Sequence, residues 1–172
     1  MSEDQLSELE QSPYPYVVKI QGKVKELIAQ HRSDVFDTWL EQDKISCLPN
    51  YALPAVISPT EFNSMVPKSL YTAEEDMNEY EFKVVWALSE LGNVRWWHRN
   101  ISRLGFQING PVHAYPDIIV MLHSGKILMV ETKGDHLDND ESKEKAKIGD
   151  QWAKLAGKQY KYYMVFETKQ PD

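Results

Sequence analysis

Two short apolar runs, Ile118–Ile119–Val120–Met121–Leu122 and Lys126–Ile127–Leu128–Met129–Val130, stand three residues apart in the chain. Joined by His123–Ser124–Gly125, they read as a β-hairpin in which Gly125 takes the left-handed conformation that closes a three-residue loop. That register sets Leu122 against Lys126, and counting outward sets Asp117 directly opposite Glu131. Side chains alternate along a strand, so Lys133 shares a face with Glu131. Cross-strand neighbours lie about 5 Å apart, and like charges there are destabilising unless something neutralises them. A divalent cation would do so: carboxylate oxygens are the hard ligands that Mg²⁺ takes, and that ion keeps several of its waters. A neighbouring Lys can orient or deprotonate one of those waters, or hold a phosphate oxygen. The plainer alternative is a surface hairpin with charged ends, because a D…E-x-K spacing arises readily by chance.

With 172 residues, 42% of them hydrophobic, the chain can bury one ordinary core. Its apolar stretches are too short to cross a bilayer, and residues 1–12 are acidic and polar rather than signal-like. A lone Cys47 excludes an internal disulfide and a Cys-based zinc site. A soluble protein in a reducing, cytoplasmic setting is expected.

Residues 21–42 carry Val24, Leu27, Ile28, Val35, Trp39 and Leu40 at mostly helical spacing, which predicts one amphipathic helix or two. Prolines 49, 54, 59 and 67 forbid a continuous helix across the next segment, which reads as a connecting arm. A second helix is expected from about Thr72, its N-cap, to Leu91, with Glu74, Glu75 and Asp76 in the first turn, where the helix dipole favours negative charge. Two short strands, 94–98 and 105–108, should follow. Trp96 and Trp97 then face opposite sides of the sheet. A third helix is expected over about 141–156, with Ala146, Ile148, Trp152 and Leu155 inward and Gly157 as its C-cap. The aromatic, β-branched run 160–167 reads as a last, buried strand, and a crossover helix before it is what a parallel pairing requires. Asp135, His136, Asp138 and Asp140 read as a turn and helix start rather than a metal site.

Pro116–Asp117, thirteen residues, then Glu131–Thr132–Lys133 resembles the PD-(D/E)XK nuclease signature. Residues 77–81 (MNEYE), 94–100 (VRWWHRN), Gly105–Phe106, Tyr115–Pro116–Asp117 and 130–137 (VETKGDHL) together resemble the C-terminal endonuclease domain of type III restriction enzymes and related DEAD/DEAH-helicase-linked proteins. The resemblance covers roughly residues 70–166. It implies a restriction-endonuclease-like α/β fold, a mixed central sheet flanked by helices in three layers. Residues 70–172 would form the nuclease domain and residues 1–69 a helical N-terminal extension with a Pro-rich arm.

The implied activity is Mg²⁺-dependent endonucleolytic hydrolysis of DNA. Asp117 and Glu131, with the Thr132 backbone carbonyl, would hold the metal, and Lys133 would handle the attacking water. The match of Asn78-x-x-Glu81 makes Glu81 the candidate for the helix acid that often joins such sites; a solvated helix acid is the alternative. Gln151 stays outside the site, because Leu155 stands where the related RecB-like branch has Tyr. Arg95, His98, Arg99 and Arg103 are candidate phosphate contacts, as are Lys147, Lys154 and Lys158, although His98 also suits a hydrogen-bonded structural role. The chain has no Gly-x-x-x-x-Gly-Lys-Ser/Thr loop for ATP phosphates. The expected partners are therefore DNA and an ATP-dependent helicase or translocase domain, with a methyltransferase subunit implied by the family.

The net charge of −7 runs against DNA binding, since phosphate affinity comes largely from Lys and Arg. Yet Arg95, Arg99, Arg103 and Lys133 lie near the expected site, and lysines 143, 145, 147, 154, 158 and 161 form a basic tract. A locally basic face would suffice. The competing reading is a non-catalytic nuclease-like module that docks a helicase or another partner; a third is a hydrolase acting on another phosphate ester.

Overall fold

The structure, a computed structural model, describes residues 12–47, 49–57, 66–134 and 140–167. Three expectations fall on residues outside that set: the polar tail before residue 12, part of the Pro-rich arm around Pro59, and the acidic turn at Asp135, His136 and Asp138. The chain divides into two units, Met1–Ile45 and Ser46–Asp172.

Among its described residues the first unit contains one α-helix, α1, spanning Tyr14–Glu41. It begins earlier than the apolar spacing predicts and runs without a break. Pro13 and Pro15 explain the start: the first helical turn needs no N–H from its own residues, so proline is tolerated there. None of its residues is buried.

In the second unit the order is α2 (Glu79–Glu90), β1 (Val94–Arg99), β2 (Ile118–Leu122), β3 (Ile127–Lys133), α3 (Asp140–Ala156) and β4 (Tyr160–Phe166). The four strands form one mixed sheet in the order β1-β2-β3-β4. β1 with β2 and β2 with β3 are antiparallel, whereas β3 and β4 are parallel, with α3 as the crossover between them. Ile118 pairs with Val130 and Met121 with Ile127, the Leu122 amide donates to the Lys126 carbonyl at 2.9 Å, and Gly125 has φ +81°. This is the three-residue-loop register, and extending it by one residue brings Asp117 opposite Glu131.

The sheet carries apolar side chains on both faces. Val85, Val94, Trp97, Ile118, Val120 and Val130 form one core with Phe82, Val84 and Leu88 of α2 against it. Ile119 and Met129 join Phe106, Ile108, Ala114 and, from α3, Ile148, Trp152 and Ala153 in the other. Trp96 packs against this second core while Trp97 is buried in the first, as strand alternation requires. The architecture is a mixed α/β domain with a helix on each face of a four-stranded sheet.

Several boundaries differ from the sequence expectation. α2 begins at Glu79, not near Thr72, because Asn78 is its cap: Asn78 Oδ1 accepts from the Glu81 amide at 2.9 Å, and Glu81 Oε2 accepts from the Asn78 amide at 3.0 Å. This reciprocal capping box satisfies two amides that would otherwise lack partners. Residues 105–108 form no strand; Ile108 makes only an isolated bridge to Ala114. Gly105 there closes a turn, its amide donating to the Ile101 carbonyl at 2.7 Å. Leu155 is 41% exposed, and Gly149 and Ala153 face inward instead. β4 is an edge strand among the described residues rather than a buried one, with β3 its one neighbour there, and Tyr163 and Phe166 are exposed.

Candidate functional site

The expected site residues converge because antiparallel pairing brings the C-terminal end of β1, the N-terminal approach to β2 and the C-terminal end of β3 to one end of the sheet. Asp117 precedes β2, and Glu131, Thr132 and Lys133 close β3. Arg99 ends β1, paired with Ile118. Glu81 comes from the first turn of α2, on the face buried against β1.

Asp117 is held at both carboxylate oxygens. Its Oδ2 accepts from the Thr132 amide at 2.7 Å and from the Thr132 hydroxyl at 2.8 Å. Its Oδ1 lies 3.3 Å from Arg99 Nη1, which also donates to the Asp117 carbonyl at 3.2 Å. The other arm of the Arg99 guanidinium meets Glu81 Oε1 at 3.0 Å. Lys133 Nζ lies 2.7 Å from Glu131 Oε1. The like charges of Asp117 and Glu131 are thus neutralised within the chain by Arg99 and Lys133. Among these five side chains, three carboxylates against two cations leave one net negative charge.

Burial sets the electrostatics. Desolvation pushes the Glu131 carboxyl above its ordinary value, the Asp117 charge pushes it further, and Lys133 and Lys145 oppose the shift. Glu81 is also raised by desolvation, with Arg99 and the Asn78 amide acting against it and Asp117 acting with it. On β4, Tyr162 lies near enough for Glu131 and Asp117 to add to a shift that burial already drives far above the normal tyrosine value. Glu131 Oε2 and the Tyr162 hydroxyl are the two buried side-chain oxygens without a hydrogen-bond partner among the described residues.

A cleft of about 410 Å³ opens here, lined by Tyr80, Glu81, Asp117, Thr132, Lys133 and Glu167 among others. Polar residues line it, and it opens Glu81, Asp117 and Lys133 to solvent, whereas neither Glu131 nor Arg99 is part of its lining. Among the described residues, no group of three or more His, Cys, Asp or Glu side chains is gathered closely enough to hold a metal ion by itself. A divalent ion that keeps most of its waters needs only one or two carboxylates. Asp117 opposite Glu131, with Glu131 Oε2 buried and unpartnered, fits that requirement. The contacts of Thr132 with Asp117 run through its N–H and hydroxyl.

The other candidates are dispersed. His98 is 3% exposed, its Nδ1 3.0 Å from Glu74 Oε2, so its ring lies inside the protein in the hydrogen-bonded structural role. Glu74 is not a helix-turn acid: it is buried, and it also accepts from the Arg99 amide at 3.2 Å and the Ser69 hydroxyl at 2.8 Å. Arg95 is exposed at the far end of β1, where the register with β2 shifts. Arg103 is exposed in a turn with φ +67°. Lys147 and Lys154 are exposed on α3, the latter 2.8 Å from Asp150, and Lys158 is exposed just beyond that helix. Of the seven phosphate-contact candidates, Arg99 alone is in the carboxylate cluster.

Sequence reasoning did not single out Tyr162 or the double ion pair of Arg99, and it placed Lys145 in the basic tract, where it pairs with Glu141 at 3.0 Å and its charge also acts on Glu131. The Arg99 pairing was accessible in principle, because a strand antiparallel to β2 must end beside Asp117. Tyr162 looks like one more aromatic of β4 until the parallel register with β3 is known, pairing it with Met129, two residues before Glu131.

No protein-family model, curated protein or solved structure matches this chain. Among the described residues, no helix is long and apolar enough to cross a membrane.

Proposed function

We propose that residues 70–172 form a PD-(D/E)XK-type nuclease domain with a restriction-endonuclease-like fold, hydrolysing DNA phosphodiester bonds with Mg²⁺. The observation that carries the proposal is the meeting of Asp117, Glu131 and Lys133 at one end of the sheet, beside a polar cleft, from the two open ends of a fixed hairpin register. In this reading Asp117 and Glu131 hold the metal, which supplies Lewis-acid stabilisation of charge on the scissile phosphate. Lys133, anchored by Glu131, orients the attacking water through its ammonium N–H groups. Glu81 positions Arg99 against Asp117. The partners of this reading are DNA, an ATP-dependent translocase domain and, by family resemblance, a methyltransferase subunit.

The second reading, a nuclease-like module that docks a partner without cutting, is favoured by the ion pairs: Arg99 and Lys133 already satisfy most of the acid cluster. Mg²⁺ binding and plasmid nicking separate the two, measured without ATP on the wild type, Asp117→Ala and Lys133→Ala. The nuclease reading expects cutting that disappears in both variants and metal binding that disappears only in Asp117→Ala. Absence of metal binding by the wild type would leave the docking module as the account.

A further inference from the structure

We infer that Arg99 is an internal counter-ion of this site, which gives up Asp117 to the metal and then binds the substrate phosphate. The inference rests on the metal-dependent nuclease reading and assigns a residue to its substrate contact.

The guanidinium spans two carboxylates at once, 3.0 Å from Glu81 Oε1 and 3.3 Å from Asp117 Oδ1. All three side chains are largely withdrawn from water, with Arg99 17%, Glu81 8% and Asp117 22% exposed. Charge interactions are stronger there than at an open surface. Asp117 Oδ2 is committed to the amide and hydroxyl of Thr132, so Oδ1 is the oxygen whose partner is a side chain able to leave. A cation bound at Oδ1, at about 2.1 Å as Mg²⁺ binds oxygen, would lie within a few ångströms of the guanidinium. Two positive groups that close repel each other, so a metal there weakens the hold of the guanidinium on that oxygen.

A divalent cation added beside Arg99 and Lys133 makes this end of the sheet more positive, which favours an anionic phosphodiester there. A planar guanidinium is suited to a phosphate through two parallel hydrogen bonds, as Lys is not. The cleft beside Glu81 and Asp117 is where such a phosphate would enter. Glu81, buried and locked into the capping box by Oε2, retains its Oε1 contact as a tether while the other arm of the guanidinium swings.

The test is Mn²⁺ binding to the full chain, followed by the loss of the free-ion EPR signal, in wild type, Arg99→Met, Arg99→Lys and Asp117→Asn. Arg99→Met should bind Mn²⁺ roughly tenfold more tightly than wild type, Arg99→Lys about as wild type, and Asp117→Asn far more weakly. With Ca²⁺ replacing Mg²⁺ to hold off cutting, Arg99→Met should bind a short DNA duplex more weakly despite its tighter metal. Wild type that binds Mn²⁺ through Asp117, with Arg99→Met binding no tighter, overturns the counter-ion role and leaves the nuclease reading standing. No Mn²⁺ binding by wild type or Arg99→Met sinks both. Should Arg99→Met fail to fold, the Arg99 Nε resonance of wild type reads the same point during a Mg²⁺ titration. A shift that saturates with the metal and is missing in Asp117→Asn supports displacement; a resonance that stays still while metal binds overturns it.

Discussion

Glu74 Oε2 lies 3.0 Å from Nδ1 of His98, and both side chains are almost completely buried. The same carboxylate takes the Arg99 amide and, through its other oxygen, the Ser69 hydroxyl. It therefore fixes the backbone of β1 at the residue whose side chain reaches Asp117. Glu74→Ala would leave a hydroxyl, an amide and an imidazole nitrogen without their acceptor inside the protein. A loss of about 3 kcal/mol in unfolding free energy is expected, read as a lower urea midpoint. Glu74→Gln keeps an acceptor oxygen and should lose clearly less; equal losses would mean that side-chain packing, not these bonds, is what Glu74 supplies.

The capping box at the start of α2 joins stability to the site, because its acid is Glu81. Asn78→Ala removes the acceptor for the Glu81 amide and should cost about 1 kcal/mol. The Glu81 side chain keeps its contacts with Arg99 and the residue-78 amide, so the loss reads the cap alone. Thermal melts of Asn78→Ala beside Asn78→Asp check this, since Asp retains the cap and should restore most of the loss.

Some of these features are legible in the sequence and others are hidden for definite reasons. The hairpin register follows from one local fact, the three-residue loop ending in Gly125, so the meeting of Asp117 and Glu131 can be counted out from the residues alone. The crossover helix and parallel β4 follow from chain length and topology. The start of α2 is hidden because acids at 74–76 look like a first helical turn, and nothing local distinguishes such an acid from one drawn into the core by His98. Ile108 and Leu155 mislead for a similar reason: whether a short apolar stretch becomes a strand, or which side of a helix turns inward, is decided by tertiary neighbours. Arg99 falls between the two cases, its partners fixed by a strand pairing that its own segment does not announce.

Gly149 lies on the inner side of α3, where a Cβ would collide with the ring of Tyr162 on β4. Replacing a mid-helix glycine by alanine ordinarily stabilises a helix by up to about 1 kcal/mol. Here the sign should reverse, with Gly149→Ala losing about 1–3 kcal/mol, the usual cost of forcing extra volume into a packed core. Combining it with Tyr162→Ala should recover much of the loss in a double-mutant cycle. Additive effects would show that the helix and the ring do not press on each other.

Glu131 and Glu81 also make stability depend on pH, in the direction opposite to an ordinary ion-paired acid. Burial raises both above the 4.5 they have when exposed, so between that value and their folded values the native state holds more protons than the unfolded chain. Stability then falls as pH rises through that window, and the penalty is fully present above the folded values. Lowering the pH from neutral toward the window should therefore raise the urea midpoint until the remaining carboxylates begin to protonate. Glu131→Gln removes the buried charge at the cost of the Lys133 contact. It should flatten the slope of the midpoint against pH above the ordinary glutamate value, whatever it does to the midpoint itself. A slope unchanged by Glu131→Gln and by Glu81→Gln would mean that these carboxyls are not the ones burial has raised.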